Sequence, residues 1–303
     1  MLDTEQPDVA LVTTPSGFHL EPTLACAERK VHVLCDKPLE ITLERCDAMI
    51  DACDKAGVEL GCIFQSRFMP GLQPLHAAAS AGRFGPLSVL SGYVPWFRDD
   101  AYYAPSRWQG TQAMDGGGAC MNRESLPCPT PSVSSTVRVC FGSRAVSVCA
   151  ESIHTIDVLI WLADAALASE SPAEAAEGSA SNPVAEVVAF TAQRAHSSEL
   201  IEVEDTAVVS LRFRNGALGQ VLGATSMYPG GERLVWMGGG DGTAELRGDK
   251  ITRWDFRTAA DGDDSVLSGE AGTAASGGAS SPFAGLQTGP AQANIACAPR
   301  PSL

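Results

Sequence analysis

The sequence predicts an α/β fold in two parts: a short parallel sheet near the amino terminus, then an α+β unit built on a large, open, mainly antiparallel sheet. Three observations predict it. Over the first 65 residues, short apolar runs alternate with stretches of helical periodicity, the pattern of strand–helix repeats. Beyond residue 85 the runs lengthen, and Asn215-Gly216 between two of them is a strong hairpin signal. The chain has 303 residues, 45% of them apolar, enough to fill two cores.

Taken in order, residues 8–13 (DVALVT) form the first strand, broken by the turn Thr14-Pro15-Ser16-Gly17. A helix follows from about Glu21 to Lys30, with Leu24, Cys26 and Ala27 inward. Val31 to Cys35 is the second strand and ends at Asp36-Lys37-Pro38. Thr42 caps the next helix, in which Leu43, Cys46, Met49, Ile50 and Cys53 recur at helical spacing until Gly57 stops it. Val58 to Phe64 is a third strand. Strands this apolar belong to a parallel sheet covered on both faces, with right-handed crossovers in a doubly wound arrangement.

Further strands are predicted at Leu87 to Trp96, Glu186 to Gln193, Thr206 to Arg214 and Leu218 to Ser226. Arg233 to Met237 should pair with Thr243 to Leu246 around the turn Gly238 to Gly242. One helix, Ile153 to Ala163, interrupts this region. Residues 168–183, rich in Ser, Ala, Glu and Pro, read as a flexible loop, and residues 258–303 as a disordered tail.

A net charge of −15 repels phosphate backbones and anionic lipid, which argues against nucleic acid or a membrane surface as partner. No run of 18 apolar residues occurs and the amino terminus is acidic, so neither a membrane span nor a signal peptide is expected and the default compartment is the cytoplasm. The ten cysteines include no Cys-x-x-Cys pair and no histidine at ligand spacing; they read as free thiols, and no metal is expected.

Two constellations carry chemistry. Asp36-Lys37-Pro38 follows a parallel strand, at the sheet edge where open α/β folds take ligands. It is either a plain surface turn or a crevice in which Lys37 steadies an oxygen becoming an alkoxide. In Ser152-Ile153-His154-Thr155-Ile156-Asp157, His154 and Asp157 share a helix face, where the carboxylate can orient the imidazole. Neutral imidazole suits removal of a hydroxyl proton; the alternative is a helix-end histidine held by its own turn. Trp96, Tyr102, Tyr103, Arg107 and Trp108 are either sugar-pocket residues or packing.

In order and spacing these motifs resemble the Gfo/Idh/MocA oxidoreductases, the group of glucose-fructose oxidoreductase and inositol 2-dehydrogenase. The matching stretches are Thr14-Pro15-Ser16-Gly17-Phe18-His19, Asp36-Lys37-Pro38, Gln65-Ser66-Arg67-Phe68, and DGGGACMN followed later by SIHTIDVLIWL. The resemblance implies hydride transfer between NAD or NADP and a carbinol carbon of a sugar, cyclitol or polyol. It makes Lys37, His154, Asp157 and Asn122 the catalytic candidates and Thr14, Pro15, His19, Asp36, Lys37 and Gln65 the cofactor side. Arg67, Trp108 and His154 are then the substrate side. It also implies a homo-oligomer paired through the open sheet. The alternative is a non-catalytic sugar-binding or regulatory module derived from the family.

On this resemblance, residues 1–85 are the remnant of a dinucleotide-binding Rossmann domain whose first βαβ unit is missing. Residues 86–257 form the substrate and oligomerisation domain. No Gly-x-Gly-x-x-Gly follows a strand near the amino terminus, so dinucleotide binding is expected to be weak or lost. Residues 123–150 interrupt the active-site motif and read as a retained intron. Arg123-Glu124-Ser125 can encode a splice donor and Cys149-Ala150-Glu151 an acceptor. Joining them restores Met-Asn-Gln-Ser-Ile-His, with Asn122 four residues before the histidine, a place that Ala150 takes in the chain as given. Mature transcripts that all carry the segment would refute this.

Overall fold

A computed structural model describes residues 2–104, 107–122, 146–148, 152–171 and 182–268. After a short helix α1 (Leu2–Glu5), the chain forms β1 (Val9–Val12), α2 (Leu20–Glu28), β2 (His32–Cys35), α3 (Leu43–Ala56) and β3 (Leu60–Cys62). The three strands pair in parallel in the order β1-β2-β3. As predicted, the Thr42 hydroxyl accepts from the Arg45 amide to cap α3, and Gly57, at φ +68°, ends it in the left-handed region.

Cover on both sheet faces, expected from the apolar strands, is not found among the described residues. Cys26 of α2 and Met49 of α3 share one apolar cluster with Val12, Val33 and Cys35. Val9 and Leu11, which alternate with Ala10 and Val12, point the other way and are each 56% exposed. Strands in simple sequential order, joined by crossovers of one hand, put their helices on one side. Accordingly Thr23 rather than Leu24 is buried in α2, and Leu43 and Ile50 of α3 are exposed.

The 3₁₀ turn Gln65–Phe68 and helix α4 (Leu72–Ser80) lead into β4 (Leu87–Pro95). After the 3₁₀ turn Asp100–Tyr103 come β5 (Ala119–Asn122) and β6 (Val146–Val148), which pair antiparallel, then α5 (Ile153–Glu170). Strands β7 (Val184–Ala192), β8 (Thr206–Phe213), β9 (Leu218–Ala224), β10 (Leu234–Gly239), β11 (Gly242–Arg247) and β12 (Lys250–Phe256) follow, with a short α6 (Asp263–Ser268). With β4 they make a seven-stranded sheet in the order β12-β11-β10-β4-β9-β8-β7, antiparallel except for β4 against β9. The Asn215-Gly216 and Gly238–Gly242 hairpins form as predicted.

Helices α4 and α5 cover one face of this sheet, with Leu72, Leu75, Val158, Leu159 and Leu162 against Leu90, Val221, Val235 and Met237. Thr155 of α5 lies where a side chain on Gly92 would stand, so β4 has room there only for glycine. Two corrections concern extent. Helix α5 runs to Glu170, so residues 168–170 are helical rather than loop, because Ala165 and Ala166 continue its buried face. The expected disordered tail begins instead with α6, which Asp263 anchors to the Arg83 guanidinium and the Trp254 indole N–H. The remaining parts of the expected insertion, loop and tail, at 123–145, 149–150, 172–181 and 269–303, lie outside the described residues.

Five cysteines, Cys26, Cys35, Cys46, Cys53 and Cys62, are free thiols. Burial pushes Cys46 up to about 11 and Cys62 up to about 12, so these thiols stay protonated and inert. Among the described residues no helix is long and apolar enough to cross a membrane.

Candidate active site

The carboxyl ends of β1 and β2 open onto a cavity of about 300 Å³. Thr13, Thr14, Pro15 and Ser16 line it from the first strand's end, Asp36 and Lys37 from the second's. Tyr102, Trp108, Gln109 and Asp115 close it from the segment between β4 and β5. The Asp36 carboxylate accepts the Lys37 amide at 2.8 Å, which fixes the turn and leaves the lysine side chain at the cavity wall.

His19 is placed differently from expectation. It is 1% exposed, with Nε2 2.8 Å from the Thr14 carbonyl and Nδ1 3.0 Å from the Pro38 carbonyl. It therefore ties the two cavity-lining turns together from behind rather than facing a ligand. Tyr103 is buried and donates to the Thr225 hydroxyl at 3.0 Å, so it packs. Arg107 is exposed, while Trp96 lies 5.5 Å from the Arg98 guanidinium. Of the five aromatic and arginine candidates, Tyr102 and Trp108 reach the cavity.

His154 stands at the start of α5, 9% exposed. The Gln65 amide nitrogen donates to its Nε2 at 3.3 Å, and its Nδ1 is buried without a hydrogen-bond partner among the described residues. Burial, then the charges of Lys37 and Arg233, bring its pKa down to about 3. The imidazole is neutral at ordinary pH, and Lys37 is near enough to act on it.

Asp157 does not orient His154. Its carboxylate takes a two-pronged ion pair from Arg67, Nε to Oδ2 at 2.8 Å and Nη2 to Oδ1 at 2.5 Å. Burial still raises its pKa and outweighs Arg67, whose own pKa the pair raises. The two shifts differ in sign as regards ionisation; the short bidentate contact supports the ionised pair. Arg67, read from sequence as a substrate residue, has this fork committed to α5 and stacks 6.0 Å from Trp161. Asn122 is the last residue of β5.

Sequence reasoning passed over Gln109 and Asp115. Asp115 is buried and accepts the Gly110 amide at 2.8 Å, while the Gln109 side-chain oxygen is buried without a partner among the described residues. Their signal was their place beside Trp108 and beside the glycine turn. That turn needs its glycines: Gly116 has φ +72°, and the Glu204 backbone fills the space beside Gly118.

The family described as "Oxidoreductase family, NAD-binding Rossmann fold" matches residues 1–64, and "Oxidoreductase family, C-terminal alpha/beta domain" matches residues 146–261. A myo-inositol dehydrogenase, Hyg17, of Streptomyces leeuwenhoekii is 41% identical over 83 residues, 27% of this chain and 26% of that protein. The myo-inositol 2-dehydrogenase of Thermotoga maritima is 36% identical over 90 residues, 30% of this chain and 27% of its own. The chain thus spans about a quarter of the length of these curated relatives. The crystal structure of the WlbA dehydrogenase from Bordetella pertussis, in complex with NADH and UDP-GlcNAcA, superposes with a TM-score of 0.69 at 29% identity, covering 91% of this chain and 66% of that one. With both halves matched and the two sheets superposing as one unit, the chain belongs to the Gfo/Idh/MocA oxidoreductase family.

Proposed function

We propose that the chain acts as an NAD(P)-dependent oxidoreductase on a hydroxyl-bearing carbon of a sugar, cyclitol or related polyol. The observation that carries this reading is that Lys37, at the cavity wall, is near enough to His154, at the start of α5, for its charge to lower the imidazole pKa. Thr14, Pro15, Asp36 and Lys37 fit the nicotinamide end of the cofactor, since they stand at the strand ends where open α/β sheets take ligands. The cofactor, when bound, accepts the hydride.

The chain's own residues handle the proton and the charge. Lys37 donates to the substrate oxygen and stabilises the negative charge that grows there. His154, kept neutral by burial, takes the hydroxyl proton at Nε2, where the long Gln65 contact is readily replaced by a substrate hydroxyl. A pKa this far below the operating pH makes the imidazole a weak base, so the transfer depends on Lys37 lowering the pKa of the substrate hydroxyl. Tyr102 and Trp108 offer aromatic faces to the ring, and Gln109 an acceptor for one of its hydroxyls. Residues 1–85 serve the cofactor in this reading, and residues 86–257 the substrate and self-association.

Self-association follows from the face of the seven-stranded sheet that no helix covers among the described residues. Phe190, Val208, Leu222, Tyr93 and Leu234 are register partners in one row across five strands. They lie on the side away from α5, and Phe190 is 75% exposed. A second copy of the chain is the occupant proposed for it.

Isothermal titration of the protein with NADH, NADPH and myo-inositol tests the catalytic reading. Nucleotide binding that Lys37→Met weakens at least about tenfold supports the enzyme. Heat from the sugar with none from either nucleotide favours the non-catalytic sugar-binding module instead.

A further inference from the structure

The 3₁₀ turn Gln65–Phe68 supplies two side chains that bond to α5, Gln65 to His154 and Arg67 to Asp157. At its ends the Arg67 amide donates to the Phe64 carbonyl and the Met69 amide to the Ser66 carbonyl, at 3.2 and 3.1 Å, and the Gln73 side chain donates to the Arg67 carbonyl. Something also ties the turn to the large sheet.

Arg233 does so from the far side. It sits just before β10, is 9% exposed, and sends Nη1 to the Ser66 hydroxyl at 3.0 Å and Nη2 to the Met69 sulfur at 3.0 Å. No carboxylate lies within ion-pair distance of it among the described residues, and the charge of Asp249 offsets only part of the effect of its burial. A buried guanidinium left with neutral acceptors is costly, and burial depresses its pKa. An uncharged side chain of similar length would fill the space without that cost, so the guanidinium has a use beyond packing.

We propose that Arg233 is a positioning residue of the active site, clamping the Gln65–Phe68 turn to the large sheet so that Gln65 and Arg67 meet His154 and Asp157. Its charge has a second consequence. The groups facing His154 are Lys37 from the β2 turn, Arg233, the neutral Gln65, the Phe64 ring edge at 6.2 Å, and Asp157 on its own helix, whose charge Arg67 offsets. Lys37 and Arg233 together disfavour the imidazolium. The functional importance of this clamp rests on His154 being the proton acceptor; the clamp itself does not.

The test uses the full chain and NMR. Arg233→Met should speed amide exchange of Arg67 and Met69 about tenfold or more, and raise the His154 pKa. Arg233→Lys keeps the charge but not the fork, so it should speed exchange while leaving the His154 titration near wild type. Ser66→Ala covers the case in which Arg233→Met does not fold: exchange should rise with no change in the His154 pKa. Unchanged exchange in a folded Arg233→Met or in Ser66→Ala overturns the proposal, as does an unchanged His154 titration in folded Arg233→Met. Failure of the protein to bind nucleotide or sugar would sink the catalytic reading and leave these readouts intact.

Discussion

His154 couples the site to the stability of the chain. In the unfolded state its imidazole takes a proton below about pH 6.5, and in the folded state only below about 3. Between these limits the unfolded chain binds more protons. The histidine's contribution is therefore complete above pH 6.5 and declines on acidification by up to about 1.4 kcal/mol per pH unit. We predict that His154→Gln flattens the acid limb of urea unfolding between about pH 6 and pH 4. A limb as steep as the wild type's would place the acid sensitivity elsewhere. Lys37 and His154 were legible because each carries a motif. The partner of Asp157 was not: helical spacing brings it near His154, but Arg67, a helix, three strands and a turn away, competes for the carboxylate with a fork of two donors.

At the scale of elements, α3 was read to the residue because both its ends are marked by local chemistry. Thr42→Ala removes the hydroxyl that accepts the Arg45 amide and is expected to cost about 1 kcal/mol. Gly57→Ala meets no atom within 4 Å, so its cost, also about 1 kcal/mol, comes from the left-handed backbone alone. Thermal unfolding of the two variants and of the pair checks both, and additivity is expected because the ends of the helix share no partner. Helix α4 was missed. Pro74 is the third residue of α4, where a backbone N–H has no partner within the helix, so the proline is tolerated there. The end of α5 was missed because its alanines carry little amphipathic signal, although Ala163, Ala165 and Ala166 are buried.

For the whole molecule, the consequential feature is the open face of the seven-stranded sheet. Placing a charge in the middle of its apolar row should oppose pairing of two copies while leaving the helix-covered core untouched. Light scattering after size exclusion is expected to give a dimer or larger for the wild type and a smaller mass for Phe190→Glu with unchanged circular dichroism. A wild-type monomer at all concentrations would remove this face from consideration as an interface. The small sheet presents a different picture: Val9 and Leu11 are exposed because sequential strand order leaves both crossover helices on the other side.

The sequence by itself determined the strand–helix alternation, the caps, the hairpins and the residues that resemble a hydride-transfer site, since each is written in spacing or in a neighbour's chemistry within a few positions. Only the tertiary structure decided which face of each sheet is covered, that His19 braces the two turns from behind, and that Arg67 and Arg233 hold the histidine helix and its facing turn. Those outcomes depend on which of several competing donors reaches a buried acceptor, and that contest is between residues far apart in the chain, from 90 positions for Arg67 and Asp157 to 167 for Arg233 and Ser66.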